Sequence, residues 1–109
     1  MDHNKKGLKE KPSEVFEIVW SKIPITIKYT PNYWESVKVD HLEVKAAEPL
    51  PFTETGYRSA WLLPGQLDGR TPVEYVMQAL EEDSKTKKWK SYLEEKKVQE
   101  LKRTQMSLF

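Results

Sequence analysis

No cysteine occurs among the 109 residues. That removes disulfides, thiolate zinc sites, thioether haem attachment and cysteine nucleophiles together. Glycine is scarce, at four, and none of the four sits in a phosphate-cradling glycine-rich pattern. Long apolar runs are missing too: each spans only a few residues, far below the roughly 20 needed to cross a bilayer. Lys5, Lys6, Lys9 and Lys11 are followed by Pro12, Ser13, Glu14 and Glu17 rather than by an apolar stretch, so no secretory signal is expected. These absences point to a cytoplasmic protein without a membrane partner. With 38% hydrophobic residues, the chain has room for one small core and not for two.

Charge of one sign is also lacking, because the formal net charge is only +1. Read along the chain, however, residues 1–30, 31–83 and 84–109 carry +2, −6 and +5. The acidic middle is a poor footprint for nucleic acid, whereas the basic C-terminal segment can lie near phosphates or form a solvated helix.

What is present reads as a small single α+β domain, a short antiparallel sheet with one or two covering helices. Val15–Trp20 suits a short helix after Ser13 or, equally, a strand. Ile23, Ile25, Ile27 and Tyr29 then alternate with polar residues, and Pro24 and Lys28 mark this strand as an edge. Val37 and Val39 continue an alternation that shifts phase at Leu42 and Val44, as a bulge near Asp40–His41 would produce. A third strand is expected over residues 57–63. Thr71, Pro72 and Glu74 form a capping box with proline at the first helical position, and Val73, Val76, Met77 and Leu80 supply the apolar stripe behind it. The acidic run Glu81–Asp83 opposes the helix dipole, so a break is expected before Ser84, with a second helix carrying Trp89, Tyr92 and Leu93. Beyond Leu93 the apolar periodicity thins. The expected division is a flexible segment over 1–12, the domain over 13–97 and an exposed tail over 98–109.

That tail ends in Gln105-Met106-Ser107-Leu108-Phe109. The pentapeptide resembles the motif by which bacterial replication and repair proteins dock on the DNA polymerase sliding clamp: glutamine, a mid-sized apolar residue, serine or aspartate, leucine, phenylalanine. The resemblance covers these five positions and none of the domain. It implies that the partner is a hydrophobic cleft of the clamp, with Gln105 setting register, Met106 filling a gap and Leu108 and Phe109 as anchors. Independently of any family, Leu108 and Phe109 follow the polar Lys102, Arg103 and Thr104 and have no periodic place in the core. Folding back onto the domain as an apolar plug is the alternative.

Three further sets of residues bear on function. Asp40, His41 and Glu43 have the side chains of a metal-dependent nuclease centre, which would need Mg or Mn. Scattered surface carboxylates are the simpler account, and without that nuclease neither a cofactor nor an enzymatic activity is expected. Arg58, in a run of hydroxyl-bearing residues from Thr53 to Ser59, joins Lys87, Lys88 and Lys90 as weak contacts to DNA phosphates. The aromatics Tyr29, Tyr33, Trp34, Tyr57 and Trp61 suit the core of so small a domain, with base stacking on an exposed sheet as the second use.

Overall fold

The computed structural model describes residues 12–106. The N-terminal segment expected over 1–12 lies outside it apart from Pro12, as do Ser107, Leu108 and Phe109. Four strands form one antiparallel sheet in chain order: β1 (Glu14–Trp20), β2 (Ile23–Trp34), β3 (Val39–Ala46) and β4 (Tyr57–Leu62). Two helices follow, α1 (Pro72–Asp83) and α2 (Lys87–Met106). The fold is α+β, as the sequence implied.

Val15–Trp20 is a strand, not a helix. What settles the ambiguity is the turn after it: Ser21 and Lys22 both take positive φ, 52° and 68°, and close a two-residue hairpin at Trp20↔Ile23. Two left-handed residues in succession match the right-handed twist of paired strands, and neither residue advertises this as Asn-Gly would. The hairpin moves β2 to the interior of the sheet, correcting the edge assignment. Pro24 is tolerated there for a geometric reason. Opposite Val19 it occupies a non-hydrogen-bonded position, so its missing donor points toward β3, whose pairing with β2 starts only at Ile25↔Ala46.

One face of the sheet carries Ile25, Ile27, Leu42, Val44 and Leu62, all buried, with Phe16, Ile18 and Trp20 packed beside them. Val76 and Leu80 of α1, 2% and 0% exposed, cover it. The helix starts where its sequence says. Thr71 Oγ1 accepts from the Glu74 amide at 3.0 Å, and Glu74 returns the bond to the Thr71 amide at 3.0 Å. It stops at Ser84, before which no basic residue balances the dipole.

Gly56, at φ +81°, lets β4 swing back onto β3; a Cβ there would meet the Ala46 carbonyl oxygen at 2.5 Å and that of Glu48 at 2.8 Å.

The helix α2 runs 20 residues, to Met106, so residues 98–106 of the expected exposed tail are helical in backbone. Lysine, glutamate, glutamine and leucine are good helix formers, and Glu94 and Lys97, like Glu100 and Arg103, stand one turn apart. Helix persistence here needs no apolar face. Among the described residues its contacts with the body come from its first half: Trp89 is 7% exposed, meets Trp20 at 6.1 Å between centroids and stacks with Tyr92 at 5.0 Å. Lys88 reaches Glu54 at 2.6 Å and Lys96 reaches Glu48 at 2.9 Å. Leu101 is 61% exposed, and the molecule measures 66 × 34 × 18 Å.

Candidate functional site

Among the described residues no helix lies over the other face of the sheet, and its composition is unlike that of a solvated surface. The ladder Thr30↔His41↔Trp61 crosses it. Beyond Thr30 the β2–β3 register shifts, and pairing resumes at Trp34↔Val39. Extra residues on β2 at this point bring both Tyr33 and Trp34 to the Trp61 cluster, where strict alternation would send one of them to the core. Tyr33 meets Trp61 edge-on at 5.2 Å, Trp34 lies 6.2 Å from Trp61, and His41 lies 4.4 Å from it. Trp34 is 54% and Trp61 49% exposed. A contiguous apolar surface of this kind marks an interaction face more often than a solvated one.

Asp40 holds the irregularity in place. Its side chain accepts the Tyr29 hydroxyl at 2.6 Å on one oxygen and the Asn32 amide at 2.7 Å on the other. Asn32 has φ 51°, the left-handed region that asparagine tolerates. Burial, then the hydrogen bond and charge of Asp40, with a further contribution from Glu14, push the Tyr29 phenol up to about 12.

The expected metal set is split by this arrangement. His41 and Glu43 share the open face, with Nδ1 and Oε2 4.0 Å apart, while Asp40 turns to the inner face and is engaged with Tyr29 and Asn32. Among the described residues no three histidines, aspartates or glutamates stand together as a metal-holding group. The irregularity expected near Asp40–His41 falls instead in β2, so β3 alternates strictly, with Val39 and His41 on the open face and Leu42 and Val44 on the inner one. His41 Nε2 and Ser59 Oγ are 2.7 Å apart. With Glu43 these are the residue types of a nucleophile relay, but Glu43 stands 4.0 Å from His41, beyond hydrogen-bond range.

The expected phosphate contacts are distributed over two elements. Arg58 is on β4 and donates to the Phe52 carbonyl at 3.1 Å. Lys87, Lys88 and Lys90 lie at the start of α2, exposed, with Lys88 paired to Glu54, whose carboxyl that pairing lowers below its ordinary value. Of the clamp-motif residues, Gln105 and Met106 form the last turn of α2 in backbone, and Ser107, Leu108 and Phe109 fall outside the described residues.

The aromatics correct the core expectation. Tyr29 alone of the five faces inward, whereas Tyr33, Trp34, Tyr57 and Trp61 build the open face. The usable signal was the alternation itself: Tyr57 and Trp61 lie out of phase with Leu62, the residue that their strand commits to the core.

Among known families, the one described as KlcB third domain matches residues 13–89. No curated protein sequence and no solved structure matches the chain.

Proposed function

The chain belongs to the KlcB third-domain family, and from that premise we propose that it is a non-enzymatic adaptor of plasmid, phage or bacterial DNA replication or repair, docking on the DNA sliding clamp through Gln105, Met106, Ser107, Leu108 and Phe109. The family is plasmid-associated, which supports the plasmid setting and, with it, a place of action in the cytoplasm. The observation that carries the docking reading is the helical arm. Packing ends near Lys96, and the remaining turns of α2 lead away from the body to Gln105. A segment about 15 Å long, at 1.5 Å per residue, thus separates the motif from the domain, so the clamp cleft can be reached without collision with the sheet.

Binding energy in this reading comes from Leu108 and Phe109, each contributing roughly 1.5–3 kcal/mol on burial, less the ordering cost. Calorimetry on the full protein against purified clamp tests it. Leu108→Ala with Phe109→Ala should lose about 3 kcal/mol or more; equal affinities for parent and variant remove the tail mechanism. Arg58, Lys87, Lys88 and Lys90 add weak DNA contacts on the same reading. A duplex titration without clamp should then show a log-log salt slope growing by about 0.9 per phosphate neutralised, and salt-insensitive binding rejects that role. Metal-dependent cleavage of branched or single-stranded DNA, abolished by Asp40→Ala or Glu43→Ala, would overturn the non-enzymatic assignment.

A further inference from the structure

The last strand of the sheet, β4, pairs with no further strand among the described residues. Hydrogen-bonded pairing between β3 and β4 is fixed by the bond from the Ala46 amide to the Gly56 carbonyl, 2.7 Å. In an antiparallel ladder such pairs recur at every second residue, which assigns Val44↔Arg58, Leu42↔Ala60 and Asp40↔Leu62 to the same class. The N–H and C=O groups of Tyr57, Ser59 and Trp61 therefore point away from the sheet. Those of Tyr57 are occupied by the Thr53 and Thr55 hydroxyls, and just past the strand Leu63 is occupied by Gln66. Ser59 and Trp61 keep theirs directed outward, between two closed ends.

Beside this short open stretch, on the inner face, lies a cleft of about 170 Å³. Ala60 of β4 and Ala79 of α1 both line it, two small side chains where the neighbouring positions carry Leu42 and Val76, and Phe52 and Tyr75 wall it. Arg58 stands two residues from Ala60 on the same face, and Asp83 lines the cleft as well. Arg58 makes a single hydrogen bond, to the Phe52 carbonyl, and no ion pair among the described residues. Four of the five guanidinium N–H groups are thus left to the surroundings.

We propose that β4 is a strand-addition site for an extended peptide of a partner protein, carrying a large apolar residue followed two positions later by aspartate or glutamate. The peptide runs antiparallel to β4 and exchanges backbone hydrogen bonds with Ser59 and Trp61. Its residue opposite Ala60 then lies on the inner face and places its side chain in the cleft. Because side chains repeat every two residues along a strand, the residue two further on faces Arg58, and a carboxylate there meets the unpaired guanidinium. The edge supplies affinity that any sequence can use, while the cleft and Arg58 supply the selection. The clamp motif takes no part, so this site stands or falls apart from the tail.

The test uses the full-length ¹⁵N-labelled protein and three blocked hexapeptides: threonines with phenylalanine third and glutamate fifth, the same peptide with alanine third, and the same peptide with lysine fifth. Titration to about 1 mM should shift and protect the Ser59 and Trp61 amides with the first peptide. Affinity should fall at least tenfold with the alanine peptide and severalfold with the lysine peptide. Arg58→Glu should reverse the order of the glutamate and lysine peptides, and Ala79→Leu, by filling the cleft, should abolish the advantage of phenylalanine over alanine. Equal affinity for all three peptides, or amides unmoved by any of them, overturns the proposal. So does sedimentation as a dimer in which Ser59 and Trp61 are already protected, since a second copy then occupies the edge.

Discussion

Asp40 looks from the sequence like a candidate ligand and acts in the fold as a brace. Removing it by Asp40→Ala leaves the Tyr29 hydroxyl and the Asn32 amide without their acceptor. We expect a loss of about 2–3 kcal/mol in urea unfolding, near the upper range for bonds to a charged group, with Trp fluorescence altered because Tyr33 and Trp34 depend on the same irregularity. A loss below 0.5 kcal/mol, as for an ordinary surface residue, would reject the bracing role. The phenol gives a pH signature. Since folding raises the Tyr29 value from 10.0 to about 12, the neutral form is the one that the native state favours. Its contribution is complete below about pH 10 and is lost as pH rises toward 12. Unfolding free energy followed across that window should decline in the parent and decline less steeply in Tyr29→Phe.

At the scale of elements the two helices are held in different ways. α1 is anchored along its length by Val76 and Leu80, whereas α2 is anchored near its start and otherwise depends on its own propensity. Trp89→Ala should therefore act on the whole arm: about 3 kcal/mol or more of lost packing, accompanied by reduced helicity in circular dichroism as the segment to Met106 frays. Val98→Ala, 47% exposed, should change stability by less than about 0.5 kcal/mol. Equal effects from the two substitutions would mean that the distal turns pack against something. Helix α1 was legible in full because its stop and start signals are local. The extent of α2 was not, because the helix persists on residue propensity and has almost no apolar periodicity to mark where it ends.

For the molecule as a whole, the sheet has one covered face and one aromatic face, and the two should respond differently to truncation. Leu80→Ala should cost about 2–5 kcal/mol, as large buried side chains do. Trp34→Ala and Trp61→Ala, each about half exposed, should cost less than Leu80→Ala despite removing larger groups, and should lower dye binding by the exposed apolar face. If either tryptophan proved as costly as Leu80, the open face would belong to the stabilising core and not to an interaction surface.

The sequence by itself determined the strand periodicities over Ile23–Tyr29 and Leu42–Val44, the capped start of α1, the interruption at Ser84, and the clamp-motif-like pentapeptide Gln105–Phe109. Each is encoded within a few neighbouring residues, either by alternation or by a side chain reaching its own backbone. Tertiary structure alone decided three things. The Ser21–Lys22 turn placed β2 inside the sheet, because a residue's neighbour across a ladder is not written in its own segment. The β2 irregularity and its Asp40 brace sent Tyr33 and Trp34 outward, because which face is buried depends on where α1 lands. The edge of β4, which pairs with no further strand among the described residues, and the cleft that Arg58 helps to line arise where the last strand and α1 meet, since an edge is defined by a strand's neighbours and no local pattern specifies them.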